Sequence, residues 1–160
     1  MITKNKSVQQ TVEKYAQLRL CPPYFGQKLA EVCYDFADEY ILPVKQEYIR
    51  RREILFNALS GIEGLQVYKP AAAFYNMVGL PINNANHFCK WLLTDFSKNN
   101  STVMLAPGDG FYFNKNFGKN EVRIAYVLNE VDLKNAVGCL HDALKEYLVL
   151  YQNEELTCIP

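Results

Sequence analysis

The chain has 160 residues, and its 17 basic and 17 acidic side chains give a net charge of zero. This length is enough for one ordinary domain with a sizeable core, and the neutral balance excludes a basic field that would attract nucleic acid or an anionic membrane. No run approaches the roughly 20 apolar residues of a membrane span, and the first ten residues lack the apolar core of a signal peptide. We therefore expect a cytoplasmic protein.

The first sixty residues are predicted to be helical. A helix capped by Ser7 should end before Pro22. A second helix is expected from Tyr24 to Tyr40 with an apolar stripe along one side, and Pro43 should interrupt helicity before it resumes as far as Ser60. The sequence thus predicts a long, bent pair of helical segments after the first helix.

Three consecutive arginines, Arg50 to Arg52, fall inside the last of these helical segments. Successive residues of a helix point about 100° apart, so three in a row cannot form a single anion-binding face. We therefore expect this run to lie on a solvated surface.

Four short strands are predicted after residue 60, at 65–68, 73–80, 103–106 and 122–127. Asn83 or Asn84 is the expected cap of a helix between the second and third strands, and Asn129 should cap the last helix. That last helix has an apolar stripe that must cover a sheet, and an aperiodic tail is expected at 153–160. The expected fold class is α/β, with three or four mostly antiparallel strands covered on one face by helices.

Cysteines and histidines indicate neither a disulfide framework nor a metal site. The five cysteines are odd in number and form no C-x-x-C pair, which is typical of reduced thiols. Cys33 and Cys139 fall on apolar helix faces and are predicted to be small buried hydrophobes. His87 and His141 lack neighbours at metal-ligand spacing, so no metal is expected.

One arginine lies among strand-forming residues near the end of the chain. In the predicted last strand, Arg123 and Ala125 share one face while Val122 and Ile124 share the other. An arginine in this setting is either an edge charge that reaches water or a partly buried fork that binds an anion. Spacing alone favours the edge charge for Arg123.

The block from Val103 to Leu144 resembles the C-terminal part of the class I/II, fold-type-I aminotransferases, which use pyridoxal phosphate. The matching residues are the strand and Pro-Gly turn at 103–108, Phe111, Arg123 with Ile124, Leu133 and Ala136. Phe74-Tyr75 also resembles an aromatic pair that follows a glycine in the family. Here Ala71 to Ala73 stand in place of that glycine.

The resemblance implies a role for Arg123 and assigns the cofactor chemistry elsewhere. In the family, the corresponding arginine binds the α-carboxylate of the amino acid or 2-oxo acid substrate. Pyridoxal 5'-phosphate chemistry needs a Schiff-base lysine, a carboxylate at the pyridine nitrogen and a phosphate cup. None of the twelve lysines stands in the family's Ser-x-x-Lys context. The chain alone is therefore expected to bind no cofactor, to contain no catalytic residue and to be inactive.

The resemblance also implies a domain organisation. Residues 1–40 correspond to a helical remnant of the large, cofactor-binding domain, and 41–152 to the small domain with its bridging helix. Without the large domain, the stripe of Val32, Phe36 and Tyr40 would be uncovered, so the chain is expected to form a homo-oligomer.

The sequence also leaves two other functions open. The chain could be a stand-alone structural or regulatory module with the aminotransferase small-domain fold that binds a protein partner, because the cofactor lysine is missing. The reading frame upstream of Met1 would separate these possibilities, since a continuous large domain there indicates an enzyme. Amino-acid binding without catalysis is a third reading, and it rests on Arg123 alone.

Overall fold

The computed structural model describes residues 3–151, so the predicted tail at 153–160 lies outside the described residues. The helices within them are α1 (Lys6–Arg19), α2 (Tyr24–Asp35), α3 (Ala37–Ser60), α4 (Ala85–Thr94) and α5 (Glu130–Tyr151). The strands are β1 (Gln66–Val67), β2 (Tyr75–Gly79), β3 (Ala106–Pro107) and β4 (Glu121–Ala125), and a short 3-10 helix covers Asp109–Phe111. The chain divides between Pro43 and Val44 into two compact units.

The helices of the first unit begin and end at slightly different residues from those predicted. Asn5 caps α1 instead of Ser7, because its side-chain oxygen accepts the backbone N–H groups of Ser7 and Val8. The break that was expected at Pro43 occurs at Phe36, and Pro43 lies inside α3. A proline inside a helix removes one backbone hydrogen bond, and here the helix continues past it.

Neither α1 nor α2 contains a buried residue. The prediction that Cys33 is buried is therefore wrong, since this cysteine is exposed. Its helix is amphipathic, yet the first unit by itself provides no core against which the apolar side can pack. No helix within residues 3–151 is long and apolar enough to cross a membrane.

The four strands of the second unit form one antiparallel sheet in the order β1-β2-β4-β3. The predicted α/β class, with a small antiparallel sheet and amphipathic helices, is confirmed. The central pair places Met77 opposite Arg123 and Val78 opposite Val122. The two faces of β4 differ in burial. Val122, on one face, is fully buried, whereas Ala125, on the other face, is exposed.

The third strand begins later than predicted. Pairing with β4 covers only Ala106 opposite Arg123 and Pro107 opposite Val122, so Val103 to Leu105 precede the ladder and form no strand. The apolar composition of 103–105 favours a strand, but pairing depends on a partner in register. The result is a very short edge strand that ends at a proline, as edges often do.

The core of the second unit combines one face of the sheet with three helices. Its fully buried members include Leu59 from α3, Val78 from β2, Val122 from β4 and Leu133 from α5. Cys139 is buried as predicted, and burial raises the pKa of the Cys89 thiol to about 11. Asn84 and Asn129 cap α4 and α5 through their side-chain oxygens, which agrees with the sequence.

Aromatic rings fill the space between α4 and α5. The ring of Phe88 lies 4.9 Å from that of Tyr147 and 6.1 Å from that of Trp91, measured between centroids. Trp91 and Tyr147 are 5.3 Å apart in an edge-to-face arrangement. Such pairs add to the free energy gained from burying the rings, so this cluster is a main source of stability for the second unit.

Arg51 and Arg52 do not lie on a solvated surface as predicted. Their side chains are only 20% and 21% exposed, whereas that of Arg50 is 62% exposed. Arg51 donates to the backbone carbonyl of Val127, and Arg52 donates to that of Pro70 at 3.2 Å. These two arginines therefore bind α3 to the segment after β4 and to the loop between β1 and β2.

The loop before β2 contains a strained residue at the position where the resemblance places a glycine. Ala73 has φ of 68°, a left-handed conformation that costs a non-glycine residue about 1–2 kcal/mol. The hydroxyl of Tyr126 donates to the Ala73 carbonyl at 2.8 Å, and the Tyr126 N–H donates to the Phe74 carbonyl at 2.9 Å. These bonds from the end of β4 hold the loop that leads into Tyr75.

Candidate functional site

Arg123 occupies the middle of β4, flanked by β2 on one side and β3 on the other. Its backbone neighbours across the sheet are Met77 and Ala106. The side chain is partly buried and shares a face with Glu121 and Ala125, as the alternation of β4 requires. The sheet thus provides a rigid base for the guanidinium group.

Two aromatic rings flank the guanidinium group. The Cζ atom of Arg123 lies 5.3 Å from the centre of the Tyr75 ring and 4.8 Å from that of Phe111. Tyr75 comes from the first position of β2, and Phe111 from the 3-10 helix after β3. Both distances are within the range of cation–π attraction. The rings restrict the orientation of the planar guanidinium group and leave its N–H donors free of hydrogen bonds to them.

No salt bridge and no side-chain hydrogen bond involves Arg123 within residues 3–151. Glu121 is the acidic residue on the same face of β4, and its carboxylate accepts a hydrogen bond of 2.5 Å from the Tyr112 hydroxyl. This bond raises the pKa of Tyr112, because it favours the protonated phenol next to a carboxylate. Arg123 is therefore a cation without a carboxylate partner in the described chain.

Two glycines shape the loop beside Arg123. A side chain at Gly118, whose φ is 74°, would lie 2.6 Å from the Tyr112 ring, and one at Gly108 would lie 2.8 Å from Cβ of Glu121. Both positions accept only glycine at these distances. The backbone therefore approaches Tyr112 and Glu121 closely enough to fix both side chains.

This arrangement is suited to binding a carboxylate. The guanidinium group presents parallel N–H donors that match the two oxygens of a carboxylate, and it retains its charge at every physiological pH. No acidic side chain within residues 3–151 is paired with the guanidinium group, so none competes with a ligand carboxylate. The sequence identified Arg123, but it did not reveal that Tyr75 and Phe111 are its neighbours, because their contact depends on strand register and on the 3-10 helix.

The residues that the structure describes do not fit pyridoxal phosphate. No lysine lines the apolar cavity between α3, β4 and α5, and four of the described lysines, Lys28, Lys69, Lys98 and Lys134, are engaged in salt bridges. Between residues 3 and 151, no three His, Cys, Asp or Glu side chains are grouped to hold a metal ion. His87 instead pairs with the hydroxyl of Tyr147, with 2.6 Å between Nδ1 and the oxygen.

This apolar cavity of the second unit is not lined by Arg123. Its volume is about 590 Å³, and its lining is mostly apolar side chains from α3, β4 and α5, including Leu55, Ile124 and Leu140. Ile124 lies on the face of β4 opposite Arg123, and no basic residue lines the cavity. The cavity is therefore unsuited to an anionic substrate.

In sequence, the chain is similar to aspartate aminotransferases. It is 29% identical over 142 residues to an aspartate aminotransferase of Sulfurisphaera tokodaii, covering 86% of this chain and 34% of that protein. It is 28% identical to one from Rhizobium meliloti, covering 81% of this chain and 32% of the relative. The chain thus spans about a third of the length of these relatives. No protein-family model matches it.

Solved aminotransferases share the fold. The α-aminoadipate aminotransferase of Thermus thermophilus, solved with N-(5'-phosphopyridoxyl)-L-leucine, superposes with a TM-score of 0.72 at 22% identity, covering 93% of this chain and 38% of that one. The kynurenine aminotransferase of Pyrococcus horikoshii gives 0.73 at 23% identity, covering 89% and 35%. In sequence and in fold, the chain therefore resembles the C-terminal part of the fold-type-I, pyridoxal-phosphate-dependent aminotransferases.

Proposed function

We propose that this chain is the C-terminal portion of an aminotransferase and that Arg123 binds the α-carboxylate of its amino acid and 2-oxo acid substrates. The observation that supports this proposal is the unpaired guanidinium group of Arg123, held between Tyr75 and Phe111. Residues 1–40 would belong to the large domain, and 41–152 would form the small domain with the bridging helix. The cofactor, pyridoxal 5'-phosphate, would be held by the large domain.

Replacement of Arg123 tests this role in the chain itself. With 3-phenylpropanoate as the carboxylate probe, we expect Arg123→Gln to weaken binding about tenfold or more, because charge-assisted hydrogen bonds contribute about 1.5–3 kcal/mol. Arg123→Lys should retain part of the affinity, since it keeps the charge but not the fork. Binding is followed through the NMR resonances of β4.

The control for this titration is Arg50→Gln, which removes an arginine that is 62% exposed and paired with Glu47. It should leave the affinity for 3-phenylpropanoate unchanged. If Arg123→Gln binds the probe as well as the unmodified chain does, the proposed carboxylate site is wrong.

The chain alone should show no transamination and no stoichiometric adduct with pyridoxal phosphate. A Schiff-base lysine needs an environment that lowers its pKa and holds the cofactor, and the resemblance assigns both to the large domain. The measurement is borohydride reduction of the mixture followed by peptide mass spectrometry. Scattered, substoichiometric labelling of surface lysines is expected, whereas one fully labelled lysine with turnover of an amino donor would contradict the assignment.

The exposed helices of the first unit support a homo-oligomer. Val32 in α2, Phe36 between α2 and α3, and Tyr40 near the start of α3 are 54%, 58% and 73% exposed. Burying a patch of a few hundred Å² is worth several kcal/mol at about 25 cal/mol per Å², before the cost of association. We expect sedimentation at micromolar concentration to give a dimer.

A paired substitution tests which surface mediates this association. The double variant Val32→Asp with Phe36→Asp should shift the chain toward monomer, while Lys14→Asp on α1 should not. The same exposed residues favour the second candidate function, a structural or regulatory module that binds a protein partner. A strictly monomeric, unmodified chain would remove the support for self-association and leave that second function as the alternative.

A further inference from the structure

An acidic side chain lies close enough to compete for Arg123. Glu121 and Arg123 share one face of β4, and residues two apart on a strand have Cα atoms about 7 Å apart. Both side chains are long and flexible, so the carboxylate and the guanidinium group can reach each other at this spacing. No ion pair between them is present within residues 3–151, and the Glu121 carboxylate accepts a hydrogen bond from Tyr112.

The backbone of the loop limits where the Tyr112 ring can lie. Its ring lies against the bare backbone at Gly118, where an added Cβ would be 2.6 Å from ring atom Cδ2. The ring of Phe117 is 6.2 Å away on the same loop. Gly108 brings its backbone against Glu121, and the Gly108 N–H donates to the Glu121 carbonyl at 2.7 Å. The phenol and the carboxylate are therefore fixed relative to each other.

A second acidic residue near the site is also engaged by a neutral donor. Asp109 begins the 3-10 helix whose last residue, Phe111, lies over Arg123. Its carboxylate accepts a hydrogen bond of 2.9 Å from the side-chain amide of Asn86 on α4. Each of the two carboxylates thus accepts a hydrogen bond from a neutral donor, and this leaves the charge of Arg123 in place.

We propose that Tyr112 is a positioning residue that holds Glu121 away from Arg123 and so keeps the guanidinium group available to the carboxylate of a substrate. This inference rests on the proposed function of Arg123. Removing the phenol hydroxyl frees Glu121 to turn toward Arg123, and the resulting intramolecular ion pair competes with the ligand. An exposed ion pair contributes about 0.2–1 kcal/mol, so the competition weakens ligand binding about two- to fivefold.

The test compares Tyr112→Phe with the double variant Tyr112→Phe, Glu121→Gln. Without any ligand, the NMR resonance of the Arg123 Nε–Hε group should shift in Tyr112→Phe, as it does when a guanidinium pairs with a carboxylate, and should return in the double variant. In titrations with 3-phenylpropanoate, Tyr112→Phe should bind about two- to fivefold more weakly, and the double variant should regain the affinity. Tyr68→Phe, which alters an exposed tyrosine, is the matched control.

The two measurements separate this inference from the proposed function. An unchanged Arg123 resonance in Tyr112→Phe overturns the positioning role, whatever the affinity for the probe. A loss of affinity that Glu121→Gln does not restore also overturns it, because it indicates a general distortion of the loop. If the resonance shifts and returns as expected while neither the unmodified chain nor Arg123→Gln binds the probe, the positioning role stands and the carboxylate site fails.

Discussion

Gly118→Ala is expected to destabilise the second unit by about 2–5 kcal/mol. A left-handed φ costs a residue with a Cβ about 1–2 kcal/mol, and overpacking costs about 1–3 kcal/mol. Both apply here, because φ is 74° and the new Cβ would lie 2.6 Å from the Tyr112 ring and 2.9 Å from the backbone of Gly108. The backbone neighbour cannot rotate away, so the loop itself must shift.

The measurement is denaturant unfolding followed by tryptophan fluorescence. Trp91 is the single tryptophan of the chain and lies buried in the second unit, so its signal reports the unfolding of that unit. Gly110→Ala is a matched control in the same loop, because no atom lies within 4 Å of its added Cβ and its φ is not left-handed. The control should change the free energy of unfolding by less than about 0.5 kcal/mol. Equal effects of the two substitutions would contradict the packing described for Gly118.

Gly118→Ala should also reduce carboxylate binding by displacing Tyr112. The ring cannot keep its place once a methyl group occupies the space beside it, so its hydrogen bond to Glu121 is lost. The ring resonances of Tyr112 would shift in Gly118→Ala but not in Gly110→Ala. Stability and site geometry are therefore linked through one glycine.

Phe88→Ala is expected to cost about 3–5 kcal/mol, the usual range for a buried phenylalanine. Phe88 is completely buried on α4 between Trp91 and Tyr147, so its removal deletes two ring contacts and leaves a cavity. Typical domains have a free energy of unfolding of about 5–15 kcal/mol, so this loss is a large fraction of the total. The same fluorescence measurement applies, and the emission maximum of Trp91 in the folded state should move to longer wavelength as water reaches the cluster.

Leu93→Ala is the matched control for Phe88→Ala. It lies on the same helix but its side chain is 55% exposed, so truncation should cost less than about 1 kcal/mol. A Phe88→Ala protein that unfolds at the same denaturant concentration as Leu93→Ala would show that the aromatic cluster does not stabilise the second unit.

Local sequence patterns predicted much of the secondary structure. The apolar period of α5, the capping residues Asn84 and Asn129, and the alternation around Arg123 depend only on residues close along the chain. The fold class and the likeness to aminotransferases followed from the same stretches. Arg123 was singled out through the resemblance to aminotransferases, because its strand context alone favours an edge charge.

Contacts between distant segments were decided only by the tertiary structure. The apolar run 103–105 lies outside β3 because the ladder with β4 begins at Ala106, and register cannot be read from composition. Arg51 and Arg52 are less exposed than expected because they donate to backbone carbonyls that lie 76 and 18 residues away along the chain, respectively.

The same reason explains which features of the site were predictable. The position of Arg123 depends on one strand alone. The availability of its guanidinium group to a ligand depends on Tyr75, Phe111 and the pairing of Tyr112 with Glu121. Those partners come from other parts of the chain and meet through strand pairing, a 3-10 helix and a left-handed glycine at 118. The sequence by itself determined which residue carries the charge, and only the tertiary structure determined that no carboxylate of the described chain neutralises it.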